Sequence, residues 1–191
     1  YGIPYEWTEK HGVRRYGFHG SSHRYISQRV PQMLGRDVAG LRLVSCHLGG
    51  SSSICAIQDG KSVDSSFGFS AQSGMEHAAR SGELDPFAVL YLMQKENLSA
   101  EKISEILGKK SGLLGISGVS TDLRDIEAAA EKGNARAQLA VDILVYEVKK
   151  YIGAFAAAMG GLDAIAFAGG IGENAWRVRE AVCRNMNFLG V

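Results

Sequence analysis

Leu41-Arg42-Leu43-Val44-Ser45-Cys46-His47-Leu48-Gly49-Gly50-Ser51-Ser52-Ser53-Ile54-Cys55-Ala56-Ile57 is the stretch on which the reading of the fold turns. Residues 41–48 read as one strand and 52–57 as another, because apolar and β-branched residues dominate both runs and small residues separate them. Asp59-Gly60 supplies a second turn and Lys61 to Ser65 a third short strand, so residues 41–65 predict an antiparallel meander. At Gly49-Gly50-Ser51 the backbone N–H groups fall outside the ladder, and only small residues let phosphate oxygens approach that closely. An ordinary hairpin would use the same residues, so this turn alone does not decide function.

Working outward, Tyr1 to Tyr16 mixes aromatic and charged residues, and Gly20-Ser21-Ser22 reads as a polar turn. Its serines are candidate caps for a helix running to about Val30, with His19 and His23 flanking the cap. Downstream, Asp85-Pro86 pairs a natural N-cap with a natural first helical residue, predicting a helix to about Glu96. Ser99 opens a short helix ending near Gly108, and Ser120-Thr121-Asp122 caps another to about Lys132. The longest helix follows Asn134, where Val141, Leu144, Val145, Val148, Ile152, Phe155 and Met159 trace one apolar face. Ala164 to Ala168 is a short apolar strand entering Gly169-Gly170-Ile171-Gly172, with a helix expected from about Glu173. Glycines between a strand and a helix admit a ligand to the backbone, and the helix N-terminus favours negative charge. No Gly-Lys-Ser/Thr follows, so this is not a Walker A loop, and it does not fit GxGxxG.

Bulk properties narrow the classes. The chain has 191 residues, 46% of them hydrophobic and 21% charged, as in one ordinary globular domain. A net charge of +1 offers no field for polyanions, which argues against a nucleic-acid partner. Cys46, Cys55 and Cys183 form no CxxC pair, so neither a disulfide framework nor a zinc site is suggested and a cytoplasmic location fits. The most apolar stretch, Tyr151 to Gly172, is mostly Ala and Gly and is interrupted by Asp163, which makes a poor membrane span. With Tyr1 first and Val191 directly after Gly190, both ends read as cuts in a longer protein.

A glycine hairpin, then helices, then a second glycine turn entering a helix resembles the order of elements in the actin-like ATPase and sugar-kinase superfamily. Four longer strings resemble one family: Arg14-Arg15-Tyr16-Gly17-Phe18-His19-Gly20-Ser21-Ser22-His23, Arg80-Ser81-Gly82-Glu83-Leu84-Asp85-Pro86, Ser117-Gly118-Val119-Ser120-Thr121-Asp122-Leu123-Arg124 and Gly170-Ile171-Gly172-Glu173-Asn174. Together they resemble the acetate and propionate kinase family over nearly the whole chain. The resemblance implies an α/β fold of the actin-like ATPase (ribonuclease-H-like) type. Residues 1–191 would then be the nucleotide-binding part, and part of the acyl-substrate region, of a longer kinase.

Position by position, the resemblance makes His19 the active-site histidine that contacts the transferring phosphoryl group. It gives His23 a more structural role and makes Arg80 the arginine that steadies substrate and phosphoryl charge, a task that suits a planar, permanently charged fork. ATP would be held by His47, Leu48, Gly49, Gly50 and Ser51, by Asp122, Leu123 and Arg124 beside adenine and ribose, and by Gly170, Ile171, Gly172 and Asn174. Mg²⁺ is implied, with its ligands outside this chain, as is a homodimer; no membrane partner is. The bland alternatives are a hydrogen-bonded structural histidine, a surface salt bridge at Arg80, and simple helix capping at Asp122.

Two departures from the family pattern stand out. The hairpin usually reads His-Leu-Gly-Asn-Gly, whereas Gly50 and Ser51 occupy the last two positions here. Before Arg80 stands Glu76-His77-Ala78-Ala79, where the family usually has Met-Gly-Thr or similar. Three functions follow: an ATP-dependent acetate kinase, a propionate or other short-chain acyl kinase, or a nucleotide-binding module that has lost catalysis. The isolated chain is expected to turn over little.

Overall fold

The computed structural model describes residues 1–190. The three predicted strands of the meander form as β1 (Arg42–His47), β2 (Ser53–Gln58) and β3 (Lys61–Ser65), antiparallel in sequence. A fourth strand, β4 (Ala164–Ala168), joins β1 in parallel, giving the sheet order β3-β2-β1-β4. Leu43 lies opposite Ala164 and His47 opposite Ala168, so β1 and β4 end side by side.

Alternation along the strands sends side chains to two faces. Val44, Cys46 and Leu48 point into the larger core, where they meet Leu144, Val148, Ile152 and Phe155 of α7 (Ala135–Ala158). Those residues recur at three- and four-residue steps and are buried, as their spacing predicts. Each such side chain contributes about 1.5–3 kcal/mol by burial. Leu43, Cys55 and Ile57 face the other way, against Ile26 and Val30 of α2 (Gly20–Leu34). The sheet is thus covered by α7 on one side and α2 on the other. Between β3 and α7 the chain forms α3 (Pro86–Lys95), α4 (Ala100–Lys109), α5 (Gly112–Ser117) and α6 (Leu123–Glu131). Asp85, Ser99, Asp122 and Asn134 cap α3, α4, α6 and α7 through their side chains, as expected.

Several expectations are corrected. Ser21 and Ser22 do not cap α2: they lie in its first turn, and His19 is the cap residue, at a left-handed φ of 61° without a side-chain cap bond. The helix also runs past Val30 and through Pro31, which sits in its last turn, before Gly35 ends it. Residues 5–11 form α1 (Tyr5–His11), a helix without a buried residue. Finally, the second glycine turn is itself helical. It forms α8 (Gly169–Asn174), and the following helix, α9 (Trp176–Cys183), starts at Trp176 rather than Glu173.

Candidate active site

The parallel ends of β1 and β4 bring the two glycine turns together through one residue. Leu48 N–H donates to the Ala168 carbonyl at 2.8 Å, and the Leu48 carbonyl accepts from the amides of Ile171 (2.9 Å) and Gly172 (3.1 Å). Gly169 makes this possible: at φ 77° it adopts a conformation that L side chains rarely take, and a Cβ there would lie 2.5 Å from the Leu48 carbonyl oxygen. The same bonds occupy two amides of the second turn. Because β1 takes the Ile171 and Gly172 amides, the start of α8 does not offer them to an anion. The second turn shapes the site at those two positions, while the Gly169 and Gly170 amides make no hydrogen bond among the described residues.

At the hairpin, the Gly49 amide donates to Ser52 Oγ (3.2 Å) and the Ser52 amide to His77 Nδ1 (3.0 Å). The amides of Gly50 and Ser51 make no hydrogen bond among the described residues. They are the free backbone donors of the hairpin tip. Gly49 and Gly50 open onto a cleft of about 560 Å³, across from Asp122, Leu123 and Arg124 on α6 and beside Gly170, Ile171 and Asn174 on α8. Three segments far apart in sequence therefore line one cavity. Thr121, Glu127 and Ala175 line it as well, and sequence reasoning missed them. Their signal was only helical spacing: Glu127 lies one turn beyond Leu123, on the same face of α6.

Other expected nucleotide residues lie outside the cleft. Leu48 is fully buried and Gly172 is buried, so both act behind the wall, through backbone. Ser51 is at the hairpin tip without lining the cavity, and His47 turns away, its Nδ1 2.9 Å from Ser22 Oγ. Asp122 accepts the Arg124 amide at 2.9 Å and pairs with its guanidinium. The Arg124 hydrogen bond holds the Asp122 carboxyl down at about 2. The pair is solvent-exposed and adds little stability.

Beside the hairpin lies a cluster of imidazoles. His19 Nδ1 is 2.8 Å from Ser53 Oγ, and His19 stacks on His47 with centroids 4.0 Å apart. His23 bridges Ser45 Oγ (2.9 Å) and Ser53 Oγ (2.8 Å). Burial pushes His19 down to about 4, helped by the His47 and Arg80 charges; burial also pushes His23 to about 4, helped by His19 and His47. Both rings are neutral at pH 7. Arg80 donates from Nη1 to the Ala71 carbonyl at 2.6 Å, which anchors the guanidinium near His19. The charge of Arg80 reaches His19, but Arg80 lines a separate cavity with Ser70, Ala71, Gln72 and Leu107, and neither residue lines the cleft.

This chemistry gives a signed pH dependence. A histidine whose folded pKa is depressed stabilises the fold above its unfolded value of 6.5, and that stability is lost as pH falls from 6.5 toward 4. Glu76 works oppositely: burial raises it from 4.5 to about 7, so its contribution is present below 4.5 and is lost as pH rises toward 7. His23 and His77, both buried, outweigh it. The melting temperature should therefore fall between pH 6.5 and 4. Glu76→Gln, which keeps the neutral state, should add on the order of 2 kcal/mol at pH 8 and steepen the acid loss. Thermal unfolding of both proteins at pH 4.5, 6 and 8 checks this; a Glu76→Gln protein less stable at pH 8 would contradict it.

The whole chain, residues 1–191, matches the family model described as the Acetokinase family. The chain belongs to the acetokinase family. An acetate kinase of Desulfitobacterium hafniense is 53% identical over 190 residues, with 100% of this chain and 48% of that protein covered. One of Dictyoglomus thermophilum is 52% identical over 191 residues, at the same coverage. The crystal structure of Porphyromonas gingivalis acetate kinase superposes with a TM-score of 0.98 at 51% identity, over 100% of this chain and 48% of that one. A propionate kinase from Francisella tularensis gives 0.93 at 39% identity, covering 99% and 48%. The chain spans about half the length of the curated relatives it matches. Its α/β fold is that of the acetokinase family, the actin-like ATPase type.

Proposed function

We propose that the protein carrying this acetokinase-family chain is an ATP-dependent acetate kinase that reversibly forms acetyl phosphate and ADP. Residues 1–191 would be its nucleotide-binding region and part of its acyl site. The observation that carries this reading is the cleft in which Gly49-Gly50, Asp122-Leu123-Arg124 and Gly170-Ile171-Asn174 converge beside His19 and Arg80. In this reading adenosine lies between α6 and α8, and the phosphates reach the free amides of Gly50 and Ser51.

Acetate has a pKa of about 4 to 5 and is an anion at pH 7, so no general base is required. Its oxygen attacks the γ-phosphorus in line, forming a new O–P bond. The bond to the β-phosphate oxygen breaks, and the electron pair leaves with ADP. What the protein must supply is alignment and charge stabilisation at the migrating phosphoryl group. Arg80 offers a permanent cation, and a neutral His19 offers a hydrogen bond. Mg²⁺ on the nucleotide would neutralise further charge. Among the described residues no three His, Cys, Asp or Glu side chains converge on a metal position. A homodimer and a cytoplasmic location belong to the same proposal.

A propionate preference is the second reading, raised by the likeness to the Francisella propionate kinase. Hydroxylamine trapping of acyl phosphate, with the full-length protein, ATP and Mg²⁺, should give acetyl hydroxamate at a higher kcat/KM than propionyl hydroxamate. The reverse order would favour propionate. Nucleotide binding with product from neither acid would leave a noncatalytic module.

A further inference from the structure

The hairpin and the segment before Arg80 touch each other. His77 Nδ1 accepts the Ser52 amide at 3.0 Å, and the neighbouring Ala78 amide donates to the Gly50 carbonyl at 3.2 Å. The segment before Arg80 therefore holds the hairpin at both ends of its tip. The same short segment fixes Arg80, because the His77 amide donates to the Arg80 carbonyl at 3.0 Å.

Its underside is equally constrained. The amides of Ser111, Leu113 and Leu114 donate to the carbonyls of Ala79, His77 and Ala78 at 2.9–3.0 Å. Gly112 permits that approach, since its φ is 60° and a Cβ there would come within 2.2 Å of the His77 oxygen. The His77 ring is 1% exposed and stacks on Phe67, whose other contacts include His19 at a centroid distance of 5.4 Å. An Nδ1 that accepts a backbone N–H carries no proton of its own, so the ring is neutral with its proton on Nε2. Burial and the nearby Arg80 charge favour that neutral form, pushing His77 to about 4.

We infer that His77 is a positioning residue for the nucleotide phosphates: its Nδ1 takes the Ser52 amide and so leaves Gly50 and Ser51 as the phosphate donors, in fixed register with Arg80. The inference rests on the proposed nucleotide role of the cleft, and it is independent of which acid is phosphorylated. Neither Gly50 nor Ser51 makes a side-chain hydrogen bond among the described residues, and the imidazole holds the tip from outside through Ser52.

The test uses the full-length protein and titration calorimetry with two probes, ADP and adenosine. His77→Ala should weaken ADP binding at least tenfold and raise the KM for ATP similarly, with adenosine affinity and the KM for acetate within about twofold. His77→Asn, whose Oδ1 can accept the Ser52 amide, should recover most of the ADP affinity. Equal weakening of ADP and adenosine, or ADP affinity unchanged in a destabilised variant, would mean that His77 only packs the core. If His77→Ala does not fold, His77→Asn and His77→Leu decide: the inference fails unless the Asn protein binds ADP at least tenfold more tightly than the Leu protein. Wild-type protein that binds ADP but phosphorylates no carboxylate would refute the kinase reading and leave this one standing.

Discussion

Arg80→Ala in the full-length protein should lower kcat about a thousandfold while the affinity for ADP changes less than about threefold. Arg80 does not line the cleft beneath the hairpin, so its loss should spare nucleotide binding. Its guanidinium is anchored at the Ala71 carbonyl and sits among neutral imidazoles, with His19 and His77 both pushed down partly by its charge. It is thus the permanent charge available to a migrating phosphoryl group in that cluster. Arg80→Lys keeps the charge but not the planar fork, and should restore only part of the rate. Steady-state kinetics with acetate and ATP, paired with ADP calorimetry, measure both quantities. A kcat within tenfold of wild type in the Ala protein would remove Arg80 from the chemistry.

The second large effect is expected at Gly169. Alanine there combines a left-handed φ of 77° with a Cβ 2.5 Å from the Leu48 carbonyl oxygen, a contact made with backbone that cannot swing aside. Left-handed strain costs an alanine about 1–2 kcal/mol, and separating α8 from β1 would add the loss of two hydrogen bonds at about 1 kcal/mol each. Gly169→Ala should therefore destabilise the protein by about 3 kcal/mol and weaken adenosine and ADP alike, because Gly170, Ile171 and Asn174 move together. Denaturant unfolding and calorimetry check it. A control is available in Gly170→Ala, whose Cβ would meet nothing within 4 Å and which should fold normally. A Gly169→Ala protein as stable as wild type would show that the junction with Leu48 tolerates displacement.

Much of this was legible in the residues because local chemistry and tertiary context agree. The meander, the caps at Asp85, Ser99, Asp122 and Asn134, and the apolar stripe of α7 all follow from short-range rules. Elsewhere tertiary contacts decided. The amphipathic signal that would have revealed α1 is absent, because none of its residues is buried. The short α5 is rich in glycine and is held by the backbone of His77 to Ala79, which no propensity records. Glycines at 169–172 suggested an open turn, whereas they form a helix whose Ile171 and Gly172 amides bond to the Leu48 carbonyl just past β1. At the site, the cleft gathered most of the nucleotide residues named from sequence, whereas His77 was noted only as part of a departure. Its role depends on a hydrogen bond to a residue 25 positions away, and spacing alone gives no sign of such a pairing.

Ser45, His23, Ser53 and His19 form a continuous line of hydrogen bonds, and each serine hydroxyl has one proton to give. When His23 donates from Nε2 to Ser53, the Ser53 hydroxyl is free to donate to His19 Nδ1, and His19 then carries its proton on Nε2. Turn the line around and His19 must donate through Nδ1, presenting a bare lone pair at Nε2. As long as Ser53 donates within the line and not to the Phe18 carbonyl, 3.5 Å away, the direction is one choice shared by all four groups. Reversal takes more than a hydroxyl rotation: His23 and His19 must both change tautomer, a proton leaving His19 Nε2 while Nδ1 gains one. What the outermost imidazole offers a ligand is thereby tied, at constant net charge, to Ser45, a residue sealed inside the sheet.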